Sequence, residues 1–350
     1  MSDLRFLQIY FDPSHLQVTL TRMSMQRVND SRTSWARRSY DVMVIGGGSA
    51  GLSAALMLGR ACRSVLLIDG AEPRNARAEH IYGFPSRDGT SRSTFLESTR
   101  AELVRYDVTV VNGTVVTTAG TSAGFLTNLA SGEQTYARRV LAASGITDTL
   151  PDVPGLDQHW GRSVVHCPYC HGWELRGRRV GVLATVPGSI HQALLFSQWT
   201  DQLTLLLHTQ NQPTVEQAEQ LAARGIRTVR GEVVEIVTMN DRVSGARLVT
   251  GEQLSFDAIA VAPLAKPRAG LLAPLGLTPQ PHPSGMGDHI PADETGRTAV
   301  EGVWVAGNLT NPNLNVLGAA NAGAIAAGTI NLDLIAEDTS TAIRATRNEV

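Results

Sequence analysis

Two cysteines and two histidines lie within the segment "HCPYCHGWE" at 166–174. Read as C-x-x-C-H, the spacing of Cys167, Cys170 and His171 is that of a covalent haem attachment site. Read as CPYC, the segment has the spacing of a glutaredoxin-type dithiol that cycles between thiol and disulfide. Read as a Cys/His cluster, it could be half of a zinc site. The segment by itself is therefore compatible with three chemistries.

A second chemistry-bearing pattern, G-x-G-x-x-G, is formed by Gly46, Gly48 and Gly51. An apolar run at 42–45 precedes it and a helical pattern follows, before the strand-like "SVLLID" ends at Asp69. In this context the glycines allow a tight turn, close approach of a pyrophosphate and close helix–strand packing, and the acid can bind a ribose. The pattern predicts a dinucleotide site without choosing between FAD and NAD(P).

The elements around these motifs alternate between strands and helices. "YDVMVIGGGSAGLSAALMLGRACRSVLLIDG" predicts a βαβ unit, "RSTFLESTRAELVRY" a helix, and "VTVVNGTVVTTA" a hairpin that turns at Asn112-Gly113. From about Pro154 a second βαβ unit follows, and a long Ala/Gly-rich helix is predicted to end near Asp338. The predicted fold class is α/β with two Rossmann-like domains.

Composition narrows the possible partners. The chain of 350 residues is 43% hydrophobic and 18% charged, with a net charge of -2 and a pI near 6.5. We therefore expect no nucleic-acid and no membrane partner, because there is no basic field and no apolar run of ~18 residues. The segment 1–39 lacks an export signal, so a cytoplasmic location is expected. Cys62 is expected to be a small buried thiol.

Together, "VIGGGSAGLSAAL", "AASGI", the C-x-x-C and "GVWVAGNLT" make the chain resemble the flavoprotein disulfide reductases of the low-molecular-weight thioredoxin reductase type. The resemblance runs from about Tyr40 to Asp338 and implies a homodimer. It also implies a discontinuous FAD domain (40–153 and 266–338) and an inserted dithiol domain (154–265), followed by a tail (339–350). The segment 1–39 before them is expected to be a disordered arm, with a true start at Met23 or Met25 or a transit peptide as alternatives.

The resemblance further implies a set of FAD-binding residues. Asn308 and Asn315 stand where the family has an aspartate and a glutamine. The complete set is Gly46, Gly48, Ser49, Ala50, Gly51, Asp69, Arg74, Asn75, Val115, Ala143, Ser144, Gly145, Gly307, Asn308, Asn315 and Val316.

The second βαβ unit departs from the family. Where the reductases carry a second glycine motif for NADPH, this chain has "VLATVPGSIHQAL", with Val186, Pro187 and Ser189 in the turn. Side chains there should block a pyrophosphate. Thr209 and Gln210 follow His208 in place of the arginines that bind the 2′-phosphate. The sequence thus predicts a Rossmann-like unit that has lost NADPH.

A subgroup of the family has the same combination: NADPH-independent dithiol oxidases of the gliotoxin and holomycin type, with a histidine directly after the second cysteine. The resemblance to them implies a small-molecule dithiol substrate, or a protein thiol, and oxygen as the electron acceptor. It assigns Cys170 as the flavin-proximal sulfur, Cys167 as the interchange thiol and His171 as the general base, with packing as the alternative role of His171. Without NADPH no domain swing is needed, so Cys170 is expected to rest near the flavin ring.

Two other functions remain open at this point. One is a disulfide reductase supplied by NADPH or another electron donor. The other is a haem or zinc binder. Haem attachment would call for export and a second axial ligand, and zinc would need two more ligands, yet Cys62 is the one further cysteine. No metal is therefore expected.

Overall fold

The computed structural model describes residues 35, 36 and 38–348. The predicted N-terminal arm, 1–39, lies almost entirely outside the described residues.

The helices are numbered in chain order. They are α1 (Ser49–Arg60), α2 (Arg92–Leu103), α3 (Leu156–His159), α4 (Pro168–His171), α5 (Ser189–Phe196), α6 (Val215–Ala223) and α7 (Val316–Asn348). Three 3₁₀ segments accompany them: Val104–Tyr106, Gly270–Leu275 and Gly307–Leu309.

The strands are numbered in the same way. They are β1 (Ser39–Ile45), β2 (Val65–Asp69), β3 (His80–Ile81), β4 (Thr90–Ser91), β5 (Thr109–Asn112), β6 (Val115–Thr121), β7 (Gly124–Leu129), β8 (Gln134–Ala142), β9 (Ile146–Thr149), β10 (Val164–Val165), β11 (Val180–Leu183), β12 (Leu203–Leu206), β13 (Arg227–Val229), β14 (Val233–Met239), β15 (Arg242–Leu248), β16 (Gln253–Ser255), β17 (Ala258–Val261), β18 (Leu264–Pro267), β19 (Gln280–Pro281), β20 (Asp288–His289) and β21 (Val303–Val305).

The first sheet is seven-stranded, in the order β5-β2-β1-β8-β7-β6, with β21 paired to β8. Strand β1 runs parallel to both β2 and β8, with Val44 opposite Leu67 and Leu141. Its apolar run is continuous because helices and loops cover both faces of the sheet. The predicted βαβ unit is confirmed, with α1 as its helix.

The hairpin predicted at Asn112-Gly113 is wrong. Strand β5 ends at Asn112 and pairs in parallel with β2, while β6 turns at Thr121–Gly124 and pairs with β7. Helix α2 carries the chain across from β2 to β5, so β5 completes another parallel crossover. The Asn-Gly turn only redirects the chain from one strand of the sheet to the next.

The second sheet is parallel throughout, in the order β10-β17-β11-β12-β13. The predicted strand–helix–strand unit is confirmed as β11, α5 and β12. Phe196 of α5 is buried against one face of the sheet, and Ile236 and Leu248 of the small β14-β15-β16 sheet contribute to the core on the other. Strands β9 and β18 pair where the chain passes between the two large sheets. The fold is α/β with two Rossmann-like sheets, as predicted.

The final helix, α7, continues past Asp338 and ends at Asn348. Ala326, Ile330 and Leu334 on its buried side pack in the same core as Leu52 and Leu58 of α1. Among the described residues, α7 also has the length and composition of a possible membrane span, with a mean hydropathy of 1.2 and about 33% of its most apolar window buried. Its packing against α1 accounts for the apolar residues on the buried side.

Candidate active site

A cavity of about 800 Å³ lies at the carboxyl ends of the first sheet and extends to the dithiol. Cys167, Cys170 and His171 form part of its wall. The predicted cofactor-binding residues line it with the exception of Gly51. Those that line it are Gly46, Gly48, Ser49, Ala50, Asp69, Arg74, Asn75, Val115, Ala143, Ser144, Gly145, Gly307, Asn308, Asn315 and Val316. The fold thus brings the two motifs, which are far apart in sequence, to one space.

The glycine turn has the geometry of a phosphate cradle. Helix α1 begins at Ser49 without a side-chain cap, so its first N–H groups face the cavity unbonded by side chains. A Cβ on Gly51 would lie 1.8 Å from the carbonyl oxygen of Gly46, which shows how tightly the helix packs on the turn. A Cβ on Gly48 would meet nothing within 4 Å, so the space beside it is open. The turn therefore fits a bound pyrophosphate.

The carboxylate of Asp69, predicted to bind a ribose, is already engaged by the protein. Its Oδ1 accepts hydrogen bonds from the amides of Gly47 (3.0 Å) and Ala71 (3.1 Å), and its Oδ2 accepts one from Arg100. A carboxylate has about four acceptor positions, so room for one further donor remains. Arg100 was missed because a residue on a distant helix carries no local signal.

Two asparagines predicted to contact the flavin have structural partners. The amide of Asn308 donates to the carbonyl oxygen of Leu314 at 2.9 Å, and the Oδ1 of Asn315 accepts from the amide of Gly318 at 2.8 Å. Asn308 therefore shapes the loop before α7, and Asn315 caps the first turn of that helix. Both still line the cavity.

The dithiol is held by the short helix α4. The amides of Cys170 and His171 both donate to the carbonyl oxygen of Cys167 at 3.2 Å. Both cysteines are free thiols and half-buried. A hydrogen bond from Cys170 lowers the pKa of Cys167 to about 7 against the opposing effect of burial, while the same bond and burial raise the pKa of Cys170. Cys167 is thus the better nucleophile of the pair.

His171 follows Cys170 directly and lines the same cavity. Its Nδ1 is buried without a hydrogen-bond partner. Burial lowers its pKa below the ordinary 6.5, and a hydrogen bond with the backbone of Cys167, followed by the charge of Glu174, opposes this in part. The imidazole is therefore neutral near pH 7 and able to accept a proton.

His166 differs from His171. Burial, followed by the charge of Arg74, lowers its pKa to about 4. The side-chain amide of Gln192 donates to its carbonyl oxygen at 2.8 Å. These contacts describe a neutral, structural histidine.

The turn between β11 and α5 stands where a nicotinamide nucleotide would bind in a second Rossmann unit. The fully buried hydroxyl of Ser189 accepts hydrogen bonds from the amides of Thr185 (3.2 Å) and Val186 (3.4 Å). The side-chain amide of Gln210 donates to the carbonyl oxygen of Thr185 at 3.0 Å. Amides that would face a phosphate are therefore capped by the chain itself.

Two further observations concern cysteines and metals. Cys62, expected to be buried, is exposed because it follows the end of α1 in a turn with φ of +59°. Within the part of the chain that the structure describes, no group of three or more His, Cys, Asp or Glu side chains is arranged to hold a metal ion.

Comparison with known proteins gives a consistent result. Residues 40–327 match the family of pyridine nucleotide-disulphide oxidoreductases. Thioredoxin reductase tcpT of Claviceps purpurea is 30% identical over 308 residues, which cover 85% of this chain and 95% of that protein. Thioredoxin reductase sirT of Leptosphaeria maculans is 29% identical over 85% of this chain and 95% of its own length.

Solved structures show the same architecture. HlmI superimposes with a TM-score of 0.82 at 38% identity, covering 89% of this chain and 97% of its own. An oxidoreductase from Agrobacterium tumefaciens has a TM-score of 0.80 at 33% identity, covering 85% of this chain and 99% of its own.

Proposed function

Because the chain belongs to the family of pyridine nucleotide-disulphide oxidoreductases, and is thus a flavin-dependent disulfide oxidoreductase, we propose that it is a dithiol oxidase. In this proposal it converts a small-molecule dithiol to a disulfide through Cys167 and Cys170, with FAD as cofactor and oxygen as final acceptor. The relatives tcpT and sirT are thioredoxin reductases by name, which supports a thiol or disulfide as the reacting partner.

One observation carries the proposed direction of electron flow. The dithiol opens onto the cavity of the glycine turn, whereas the corresponding turn of the second sheet has its amides capped by Ser189. Electrons can enter through the dithiol, but there is no open nucleotide cradle in that second turn. A reductase that draws on NADPH is therefore not favoured.

The cavity residues fit FAD. The N-terminus of α1 and the open space at Gly48 suit the pyrophosphate, while Ala143–Gly145 and Gly307–Asn308 line the wall on the way to the dithiol. When bound, FAD would supply the two-electron acceptor for the enzyme dithiol, with oxygen as the final acceptor and hydrogen peroxide, after uptake of two protons, as the product.

The protein's own steps follow from thiol–disulfide exchange. His171 takes the proton of the first substrate thiol, and the thiolate attacks Cys167 in the Cys167–Cys170 disulfide. The mixed disulfide forms and Cys170 leaves as a thiolate. The second substrate sulfur, deprotonated in turn, then attacks the first and releases Cys167. The substrate gains an S–S bond, and the enzyme holds two electrons in its dithiol.

The test is an anaerobic titration of the flavin-loaded protein followed in the visible spectrum. Dithiothreitol should bleach the flavin, NADPH should not, and admission of air should restore the colour with one peroxide per flavin. Rapid bleaching by NADPH would overturn the proposal. Slow recovery of colour in air would favour the reductase function instead.

A homodimer is also proposed. Ile325, Leu332 and Ile343 are 42%, 66% and 47% exposed and are spaced to fall on one line along α7, an apolar stripe that a second copy would cover. Leu332→Glu should give a monomer by light scattering, whereas Val249→Glu, at a position 62% exposed in the turn after β15, should leave the dimer intact. The cytoplasmic location stays a prediction.

A further inference from the structure

Arg74 is fixed at the wall of the cavity by hydrogen bonds on every side of its guanidinium. Its Nε and Nη2 donate to the two carboxylate oxygens of Asp148 at 2.9 and 2.8 Å, and its Nη1 donates to the carbonyl oxygen of Pro312 at 2.7 Å. The side chains of Arg74 and Asp148 are 22% and 7% exposed. A bidentate, mostly buried fork of this kind holds its charge in one place.

This fixed charge lies on the same cavity as the dithiol. For Cys167 it adds to the hydrogen bond from Cys170, which is the main cause of the lowered pKa, and for Cys170 it opposes the hydrogen bond with Cys167 and burial, which together raise the pKa. The titratable and charged groups around the dithiol and along the cavity wall are Asp69, Glu72, Arg74, Arg77, Arg92, Asp148, His166, His171, Glu174 and Arg268.

The other cavity arginines have different positions or partners. Arg77 is 51% exposed and pairs with Asp157, and Arg268 donates to Thr147 and to the carbonyl oxygen of Glu72. Arg92 also lines the cavity, and its buried Nε has no hydrogen-bond partner to fix it. Of the cavity arginines, Arg74 is the one that is among the main causes of the cysteine pKa shifts. His171 is neutral, so it supplies no positive charge in the resting dithiol.

We propose that Arg74 is the fixed cation that stabilises the thiolates of Cys167 and Cys170 during exchange. The inference rests on the proposed function, since it assigns a role within that reaction. Each exchange step expels a cysteine thiolate into a partly buried site, where an unpaired negative charge is costly. A cation held in place by Asp148 and Pro312 offsets that cost without moving. Because the guanidinium already donates its hydrogen bonds to those two residues, the leaving sulfur has no hydrogen bond to Arg74 that would have to break.

The test is the pH dependence of Cys167 alkylation by iodoacetamide in the reduced protein, read by peptide mass spectrometry. Mapping is needed because Cys62 is also exposed. Arg74→Met should raise the midpoint of the pH profile, because a positive charge near the sulfur favours the thiolate. Arg74→Lys, which keeps the charge, should stay closer to the wild type. Arg77→Met removes a cavity cation that pairs with another aspartate and should leave the midpoint unchanged.

An unchanged midpoint in folded Arg74→Met would overturn the inference and leave Arg74 as a brace between β9 and the loop at Pro312. If Arg74→Met does not fold, Asp148→Asn provides the decision, since removal of the countercharge should lower the midpoint, and an unchanged or raised midpoint would contradict the role. Alkylation requires neither oxygen nor dithiol substrate. If dithiothreitol cannot bleach the flavin of the wild-type protein, the oxidase function is refuted. That result leaves the role of Arg74 to be decided by the alkylation profile.

Discussion

The hydroxyl of Ser189 lies 3.2 Å from the amide nitrogen of Thr185 and closes the turn that follows β11. The glycine turn of the first sheet is instead open to the cavity at Gly48. Two turns of similar topology therefore differ in a single respect: one presents free amides to a ligand, and the other satisfies them internally. This difference underlies the proposed loss of NADPH.

Ser189→Ala should destabilise the protein without creating NADPH reduction. The substitution leaves the amides of Thr185 and Val186 without their acceptor, which should lower the free energy of unfolding by about 1–3 kcal/mol. Denaturant unfolding of the flavin-loaded protein measures the change. Thr329→Ala, which alters a hydroxyl bonded to its own helix, serves as the control with a smaller expected effect. Unchanged stability of Ser189→Ala would show that the capping bonds contribute nothing.

Gly48→Ala should keep the fold and weaken FAD binding by about tenfold or more. A Cβ there meets no protein atom within 4 Å, so it projects into the space assigned to the pyrophosphate. Flavin content and dissociation constant are measured beside far-ultraviolet circular dichroism. Gly51→Ala offers the contrast, since its Cβ would lie 1.8 Å from the carbonyl oxygen of Gly46 and should disturb the turn itself. Wild-type affinity in Gly48→Ala would place the pyrophosphate elsewhere.

His171→Gln should lower the rate of dithiol oxidation by about 10²–10⁴-fold and flatten the acidic limb of its pH profile. Burial lowers the pKa of His171 below 6.5, so in the wild type the neutral base persists at mildly acidic pH and the rate falls only as the pH drops through that lowered value. Peroxide formation with dithiothreitol, measured from pH 5 to pH 8, tests this. An acidic limb that survives in His171→Gln would assign the proton transfer to another group.

Stability should fall as the pH is lowered from about 6.5 to 4 because of His166. Its pKa is about 4 in the folded protein and 6.5 in an unfolded chain, so in this window the unfolded state binds more protons. The stability present above pH 6.5 is lost progressively, by about 3 kcal/mol at pH 4. Denaturant unfolding at several pH values measures the slope. His166→Gln should show a shallower dependence, and an identical slope would mean that other groups dominate.

Local pattern was enough to predict the glycine turn, its flanking strand and helix, and the dithiol segment. Each depends on neighbours in sequence: the free amides before Leu52, the Pro168 that starts α4, and the spacing of Cys167 and Cys170. The same holds for the turn between β11 and α5, because the residue types of Val186, Pro187 and Ser189 were enough to predict that it does not bind a pyrophosphate.

Pairing over long distances could not be obtained in that way. The Asn112-Gly113 dipeptide is typical of a hairpin, in which β5 would pair with β6. In the structure β5 follows α2 and pairs in parallel with β2 instead, and this choice of partner depends on the whole sheet. Asn315 likewise suits either a ligand contact or a helix cap, and only the start of α7 decides for the cap.

The sequence alone therefore determined which chemical groups the protein possesses and the family to which they point, because motifs are properties of short segments. The tertiary structure decided their electrostatic environment. It brought Arg74 from the loop after β2 onto the cavity of the dithiol, with Asp148 of β9 and the carbonyl of Pro312 holding it there. The pKa of a thiol depends on charges near it in space and on its burial, and neither quantity is written in the spacing of residues along the chain.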